Sequence, residues 1–481
     1  MLESKPVTKI TQNVGWLVLG NMISKILFLV AGVVTARHLG TEAYGTYSFA
    51  TFFSFIFATL ADGGLQTILV REVSRDKSKG DLYFGSVLLL KSVMTLLASL
   101  LLSCAVMVMD LSSTQIQAVY VALAAFLALS YVGTAVAFFR AFERMAFEGI
   151  VTALQGVLFL VLVAVGSIVG ANLLLFVAAL LVSYVVSALL AYYWVLTRFA
   201  RPRFRLDAAL AKFLIREAWP VGVSLFLFIL HGRIGVVVLE AMRNSAEVGA
   251  FGAAFNLVRN LNFVPLAFTA AVLPPLAQSA VSNRQRFFRL YTVSFKAMLL
   301  LGFPLAVGGM LLAEPIIHLV YGPEFAEAIV AFRIISWSVL FSFLSLVSKA
   351  ALESANRQVQ WTRALAIGVP ANLLLNVLLV PRFGVAGASR ALLFADILIF
   401  LVALYAVLRE FPEFIMSLIK LGLTTLGSVV LMGLTLELLG RQHLVLAILG
   451  AALTYVLSLI LFGVVGKEDL GILKRAASGR N

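Results

Sequence analysis

A single cysteine, Cys104, occurs in 481 residues, and it lies inside an apolar stretch. Having no intrachain partner, it excludes an internal disulfide and a thiolate metal site, and it is poorly placed for a catalytic thiol. The four histidines, His38, His231, His318 and His443, are scattered without ligand spacing, so no metal and no other cofactor is expected. Charge is scarce as well: 12% of residues are charged against 62% hydrophobic, and the mean hydropathy is +1.03. Such a chain has too little polar surface to cover a water-facing exterior, so lipid must be its solvent. Missing too are paired carboxylates on an exposed loop, a glycine-rich phosphate loop with its lysine, a nucleophile elbow and an ATP-binding domain. The expectation is a protein that moves something across a membrane, and not an enzyme.

What is abundant is near-continuous apolar sequence in stretches of about 20 residues, long enough to cross a hydrocarbon core of roughly 30 Å. Spans are expected near 14–34, 44–60, 84–108, 115–139, 149–169, 172–195, 218–239, 249–276, 292–312, 325–347, 361–380, 385–408, 416–436 and 444–465. This is an all-α polytopic membrane protein with about fourteen transmembrane helices, joined by short polar loops. The polar start at 1–13 leads directly into the first span and reads as an uncleaved anchor.

The net charge of +14 finds its explanation in topology. Counting alternate loops places 27 of the 37 lysines and arginines on the side of the N-terminus and four, Arg37, Arg243, Arg382 and Arg441, on the other. That bias predicts a multi-pass protein of the cell (cytoplasmic) membrane with both termini in the cytoplasm and an even number of spans. Nucleic acid is not an expected partner.

The longest basic loop, 197–216, separates six spans from six, with two more at the C-terminus. The expected organisation is therefore 1–200 for spans one to six, 201–410 for spans seven to twelve, and 411–481 for spans thirteen and fourteen with a cytoplasmic tail. The halves share a faint echo. Tyr44-Gly45-Thr46-Tyr47-Ser48-Phe49-Ala50 and Val248-Gly249-Ala250-Phe251-Gly252-Ala253-Ala254 each open the second span of their half. Both copies begin on the same side, so the repeat is parallel, and such halves usually enclose a central site worked by rocking.

Ionisable groups inside spans are expensive and so tend to face a partner or a wet cavity. The basic ones are Lys25, Lys91, Arg233, Arg259, Arg333 and Arg390; the clearest acidic one is Asp396, with Asp62 at a span end. This cationic balance favours an anionic cargo. At about 1.5 Å per residue, Lys25 and Arg259 fall near the midplane, too deep to snorkel, whereas Lys91, Arg333 and Arg390 lie close enough to span ends for snorkelling to account for them. Asn21, Ser24, Lys25 and Phe28 share one helix face, and Asn256, Arg259, Asn260 and Phe263 make a similar stripe. Either stripe can line a cavity or supply hydrogen bonds between helices. The expected substrate-binding set is Lys25, Arg259, Arg233, Asn21, Asn256 and Asn260. His231 and Asp396 are candidates for coupling, His231 because imidazole titrates near neutrality. His231 and Arg233 are two apart, so a regular helix cannot present both to one cavity. Asn372 and Asn376 stack at i, i+4, with packing as the favoured role.

The segment Arg37-His38-Leu39-Gly40-Thr41-Glu42-Ala43-Tyr44-Gly45-Thr46-Tyr47-Ser48-Phe49-Ala50 resembles the signature that follows the first span of polysaccharide transporters. These are the lipid-linked oligosaccharide flippases of the multidrug/oligosaccharidyl-lipid/polysaccharide exporter (MOP) superfamily. The pattern continues through Gly64-Leu65 with Arg71-Glu72, Glu247-Val248-Gly249-Ala250-Phe251 and Leu273-Pro274-Pro275-Leu276-Ala277. Tyr321-Gly322-Pro323-Glu324-Phe325, Asn372 with Asn376, and Pro381-Arg382-Phe383-Gly384-Val385-Ala386-Gly387-Ala388 complete it. Read physically, Gly40, Gly45, Gly384 and Gly387 permit tight turns and close helix approach.

The resemblance implies two six-helix lobes in a V shape around a central cavity that opens alternately to either side, plus two C-terminal helices. It implies a polyprenyl-diphosphate-linked saccharide as cargo, flipped from the cytoplasmic to the outer leaflet for cell-surface polysaccharide or glycan assembly. Membrane lipids, with glycan polymerase or assembly proteins, are the implied partners. A lipid II-type peptidoglycan precursor flippase is the nearest alternative, and by analogy with it spans thirteen and fourteen would help to hold the polyprenyl tail. A multidrug–cation antiporter would carry acidic cavity residues, against the basic excess here. From a different class, a membrane-embedded polymerase or glycosyltransferase would need a longer extramembrane loop, and a scaffold for glycan assembly is a third alternative.

Overall fold

The computed structural model describes residues 4–205, 208–410, 414–439 and 444–464, and among these every regular element is a helix. In chain order they are α1 (Ser4–Leu60), α2 (Leu65–Arg75), α3 (Gly80–Val108), α4 (Ser113–Ala141), α5 (Met145–Ile168), α6 (Leu173–Arg198), α7 (Ala208–His231) and α8 (Ile234–Met242). There follow α9 (Ser245–Leu261), α10 (Phe263–Ser282), α11 (Arg284–Leu311), α12 (Ala313–Val320), α13 (Ala326–Ser354), α14 (Gln358–Glu410), α15 (Phe414–Leu439) and α16 (Leu444–Leu461). Helices suit a bilayer because each satisfies its own backbone polar groups where no water is present. Serine and threonine hydroxyls extend that economy by donating to carbonyls one turn back, as Thr51 does to Tyr47 and Ser187 to Ser183.

Eleven of the described helical segments are long and apolar enough to cross a membrane, and the set is compatible with about fourteen crossings because two of them turn within themselves and the shorter apolar helix Leu446–Leu461 adds one more. The apolar part of α1 runs for 42 residues, a straight length of about 63 Å and roughly twice a hydrocarbon core. It breaks at Gly40, whose φ of 71° no L side chain adopts comfortably. The chain folds back there. Phe28, before the break, has its ring 6.1 Å from that of Tyr184, and Phe55, after it, lies 4.9 Å from Phe126, which itself lies 6.1 Å from Tyr184. A corresponding break divides α14 at Gly384, where φ is 51°. There a Cβ on Gly387 would stand 2.9 Å from the amide nitrogen of Val380, far closer than one continuous helix brings those positions. Both glycines belong to the motif segments in which tight turns were expected.

Of the described residues, those within Met1–Asn260 and Val369–Ala391 form one compact unit and the rest form a second. In the first unit α1 packs along α5 and α4, α4 along α6, and α2 against α4 and α7. Small residues let backbones approach there: Gly156 of α5 lies against Ser24 and Leu27 of α1. In the second unit α11 packs on α13 and α15, and α15 on α16. Tyr455 donates from α16 to the Leu300 carbonyl at 2.9 Å. Leucines such as Leu96, Leu97, Leu100 and Leu101 of α3 point outward, as a lipid-facing surface requires.

Four sequence expectations change. The interval 61–83 is not merely a polar loop: Leu65, Ile68, Leu69 and Val73 recur at helical spacing and bury one side of α2. The basic loop after α6 is shorter than expected, because Lys212 and Arg216 already belong to α7. The seventh span is interrupted at Gly232–Arg233 and the eighth at Asn262. Finally, Lys91 does not snorkel. It is fully buried on α3, and its ammonium donates to Asp62 Oδ1 at 3.1 Å, the Ser130 carbonyl at 2.7 Å and Thr134 Oγ1 at 2.8 Å. A buried ammonium persists only when its donors are satisfied, and these three acceptors do so.

Candidate functional site

The break between α7 and α8 builds the site. Its free carbonyls need partners, and α14 supplies one: Asn372 Nδ2 donates to the main-chain oxygen of His231 at 2.7 Å. The same amide nitrogen lies 3.3 Å from His231 Nδ1, and Asn376 Nδ2 holds Asn372 through its carbonyl and its Oδ1 at 2.9 and 2.8 Å. With the helix interrupted, the regular-helix objection to placing His231 and Arg233 at one site no longer applies.

Arg233 is buried, and its guanidinium carbon lies 4.7 Å from the ring centroid of Phe52 and 4.3 Å from that of Phe55. The aromatic faces favour the cation, yet Arg233 Nε is buried without a hydrogen-bond partner. Arg259 of α9 sits beside it. Its Nη1 is 3.0 Å from the point where a Cβ on Gly232 would be, and its guanidinium lies 5.6 Å from the Phe255 ring. Glycine at 232 thus makes room for a second arginine at the break. Among the described residues no carboxylate pairs with Arg233 or Arg259.

Two of the expected binding residues, Arg233 and Arg259, therefore meet at the break, and Lys25 lies on α1 in the same unit, 208 positions before Arg233 in the chain. The asparagines take more structural parts. Asn256 Nδ2 donates to the Tyr44 hydroxyl at 3.1 Å, and Asn260 Nδ2 donates back to the Asn256 carbonyl at 2.7 Å. Asn21 is part-buried one turn before Lys25. Asp396, on α14, and Arg333, on α13, belong to the second unit, and Arg333 Nη2 is 3.7 Å from Glu314 Oε2. Arg390 lies with its guanidinium 4.8 Å from the Phe383 ring.

Sequence reasoning missed Phe52, Phe55 and Phe255, which flank the arginines. Phe52 and Phe55 stand i, i+3 on α1 and Phe255 one turn before Arg259 on α9, and nothing in that spacing separates them from lipid-facing phenylalanines. Chemically, two adjacent arginines without a carboxylate partner among the described residues, walled by aromatic rings, are suited to a multiply charged anion with an apolar neighbour.

A family model described as "Polysaccharide biosynthesis protein" matches residues 10–280, and one described as "MatE" matches residues 220–378. A curated relative from Haloferax volcanii, "Probable low-salt glycan biosynthesis flippase Agl15", is 25% identical over 157 residues, covering 32% of this chain and 33% of the relative. The match thus spans about a third of that relative's length. Among solved structures, "Lipid II flippase MurJ, inward closed conformation" superposes with a TM-score of 0.77 at 14% identity, covering 94% of this chain and 99% of the other. An inward-facing multidrug resistance MATE family transporter of the MOP superfamily gives 0.68 at 15%, covering 82% and 99%. At these identities the likeness establishes a shared fold.

Proposed function

From the premise that this chain belongs to the polysaccharide biosynthesis protein family, we propose that it is a flippase for polyprenyl-diphosphate-linked oligosaccharide. In this reading it carries the saccharide from the cytoplasmic to the outer leaflet by alternating access, in a cell membrane where both termini face the cytoplasm. Residues 1–200 and 201–410 act as the two lobes, and 411–481 adds the last two spans. The observation that carries the reading is the placing of Arg259 beside Arg233 at the helix break, with no carboxylate paired to either arginine among the described residues. A lipid diphosphate bears several negative charges beside a long apolar tail, and guanidinium groups bind phosphate oxygens in pairs. A cationic drug would meet repulsion at the same place. The fold is that of transporters, and it speaks for translocation over glycosyl transfer. His231, hydrogen-bonded at the helix break, and Asp396 are the groups assigned to coupling.

The test is transbilayer movement of a polyprenyl-diphosphate oligosaccharide in proteoliposomes, with lipid II as the comparison cargo. Flipping by the natural protein that is lost in a folded Lys25→Gln/Arg259→Gln variant supports both cargo class and site. Flipping that survives the double substitution removes the site assignment, and movement of lipid II alone transfers the function to a peptidoglycan precursor.

A further inference from the structure

After α6 the described chain continues as Phe199-Ala200-Arg201-Pro202-Arg203-Phe204-Arg205, a segment with no regular structure but firm attachment. All three arginines are tied to the first turns of α3 through their main chain. Arg201 N donates to Asp81 Oδ1 at 3.0 Å, Arg203 N donates to the Asp81 carbonyl at 2.9 Å, and Ser86 Oγ donates to the Arg205 carbonyl at 2.5 Å. A further bond from Arg205 N to the Arg203 carbonyl, 2.8 Å, closes a tight turn around Phe204. Gly85 makes the approach possible, because a Cβ there would overlap the Arg203 backbone. At its base the strap is rooted in rings: Phe199 packs on Phe139, Phe142 and Phe147 with centroids 5.4–5.6 Å away.

While the backbone is held, the side chains are not. Arg201, Arg203 and Arg205 are exposed, none pairs with a carboxylate among the described residues, and Phe204 is 64% exposed beside them. Neighbouring cations are already engaged, with Lys79 on Asp76, Lys77 over the Phe142 ring and Arg198 over the Phe147 ring. Among the described residues Asp81 is the carboxylate that the strap contacts, and it is occupied by the Arg201 amide. Orientation by the positive-inside rule needs only the number of charges near a span end. Ordering an exposed, arginine-rich backbone costs conformational entropy that this rule does not call for.

We propose that the 199–205 strap is a docking site for the phosphate headgroup of an anionic phospholipid in the leaflet that meets this end of α3 and α6. Three guanidiniums offer paired donors to phosphate oxygens, and Phe204 provides an apolar contact at the depth where headgroup gives way to acyl chain. This inference rests on the membrane-spanning fold and is independent of the cargo.

The experiment uses the purified full chain in detergent, equilibrated with equal phosphatidylglycerol and phosphatidylcholine, with retained lipid counted by native mass spectrometry. The natural chain is expected to retain phosphatidylglycerol selectively. Arg201→Gln/Arg203→Gln/Arg205→Gln should reduce that selectivity by about fivefold per arginine removed, with phosphatidylcholine retention and the thermal midpoint unchanged because the three side chains are exposed. The corresponding triple lysine variant keeps the charge but not the paired donors, and should retain more selectivity than the glutamine variant and less than the natural chain. Undiminished selectivity in the glutamine variant overturns the proposal, as does equal loss of both lipids. Displacement of phosphatidylglycerol from the natural chain by dilute inorganic diphosphate also overturns it, since the strap would then be a site for free phosphate groups.

Discussion

Gly45 and Gly249 meet reciprocally: a Cβ on either would lie 3.0 Å from the amide nitrogen of the other. Each would also overlap a carbonyl of the facing helix, that of Ser245 for Gly45 and that of Thr41 for Gly249. One turn on, Gly252 faces Ser48, and a Cβ there would stand 2.7 Å from the serine hydroxyl oxygen. The two segments that echo each other in sequence are thus packed against each other in space. Glu247 reinforces this end of the unit by accepting from Val385 N at 2.9 Å and from Arg243 Nε at 2.8 Å, which brings the Gly384 turn alongside.

Gly45→Ala should destabilise the protein by about 1–3 kcal/mol, because backbone carbonyls cannot yield as side chains do. Gly32→Ala is the control: nothing lies within 4 Å of its Cβ position, and alanine is the better helix former. Thermal unfolding in detergent should therefore show a fall for the first and no fall for the second. Equal behaviour of the two variants would refute the close-packing account.

Lys91→Met leaves Asp62 without its ammonium, and removing one partner of a buried pair costs about 3–5 kcal/mol. Adding Asp62→Asn should recover part of that loss, because the remaining group is then neutral. A double-mutant cycle on unfolding midpoints checks this. Strictly additive losses would mean that the 3.1 Å contact carries no coupling.

Arg233→Gln should act in opposite senses on binding and stability. Inorganic diphosphate binding, read by calorimetry, should weaken by about tenfold or more, the scale of one charge-assisted hydrogen bond. The thermal midpoint without anion should rise, since a buried cation with an unpartnered Nε no longer has to be desolvated. Arg390→Gln, at the Phe383 ring, should leave diphosphate binding unchanged. A parallel fall of binding and midpoint in Arg233→Gln would make that residue structural.

Asn372→Leu removes the donor that satisfies the His231 carbonyl, at a cost of about 1–3 kcal/mol. Hydrogen exchange should accelerate locally across 230–236. Asn376→Leu should cost less, because Asn376 Oδ1 already lacks a partner. The reverse order would show that the asparagine pair does not hold the helix break through Asn372.

Fold class was legible because the bilayer imposes its length on each span, and hydropathy reports length directly. The glycine turns at 40 and 384 were legible for a similar reason: only glycine takes those dihedral angles without strain. Lys91 was misread because depth along one helix says nothing of a carboxylate 29 positions earlier that folds beside it. The helix break at Gly232 was open in sequence, since the amide that satisfies its free carbonyl lies 141 positions away. Lys25 and Arg259 could be singled out by depth, whereas the aromatic walls around the arginines depend on which face of α1 turns inward, and a stretch with phenylalanine at 49, 52, 53, 55 and 57 does not encode that by contrast.

The single-residue turns at Gly40 and Gly384 have a consequence for any reagent that approaches from their end of the unit. A protease needs several residues of slack chain to thread its cleft, and an antibody needs a projecting epitope; a helix that reverses on one glycine offers neither. Affinity tags, cleavage sites and immunological detection therefore belong at the opposite end, where the 199–205 strap presents three arginines and a phenylalanine to whatever reaches them.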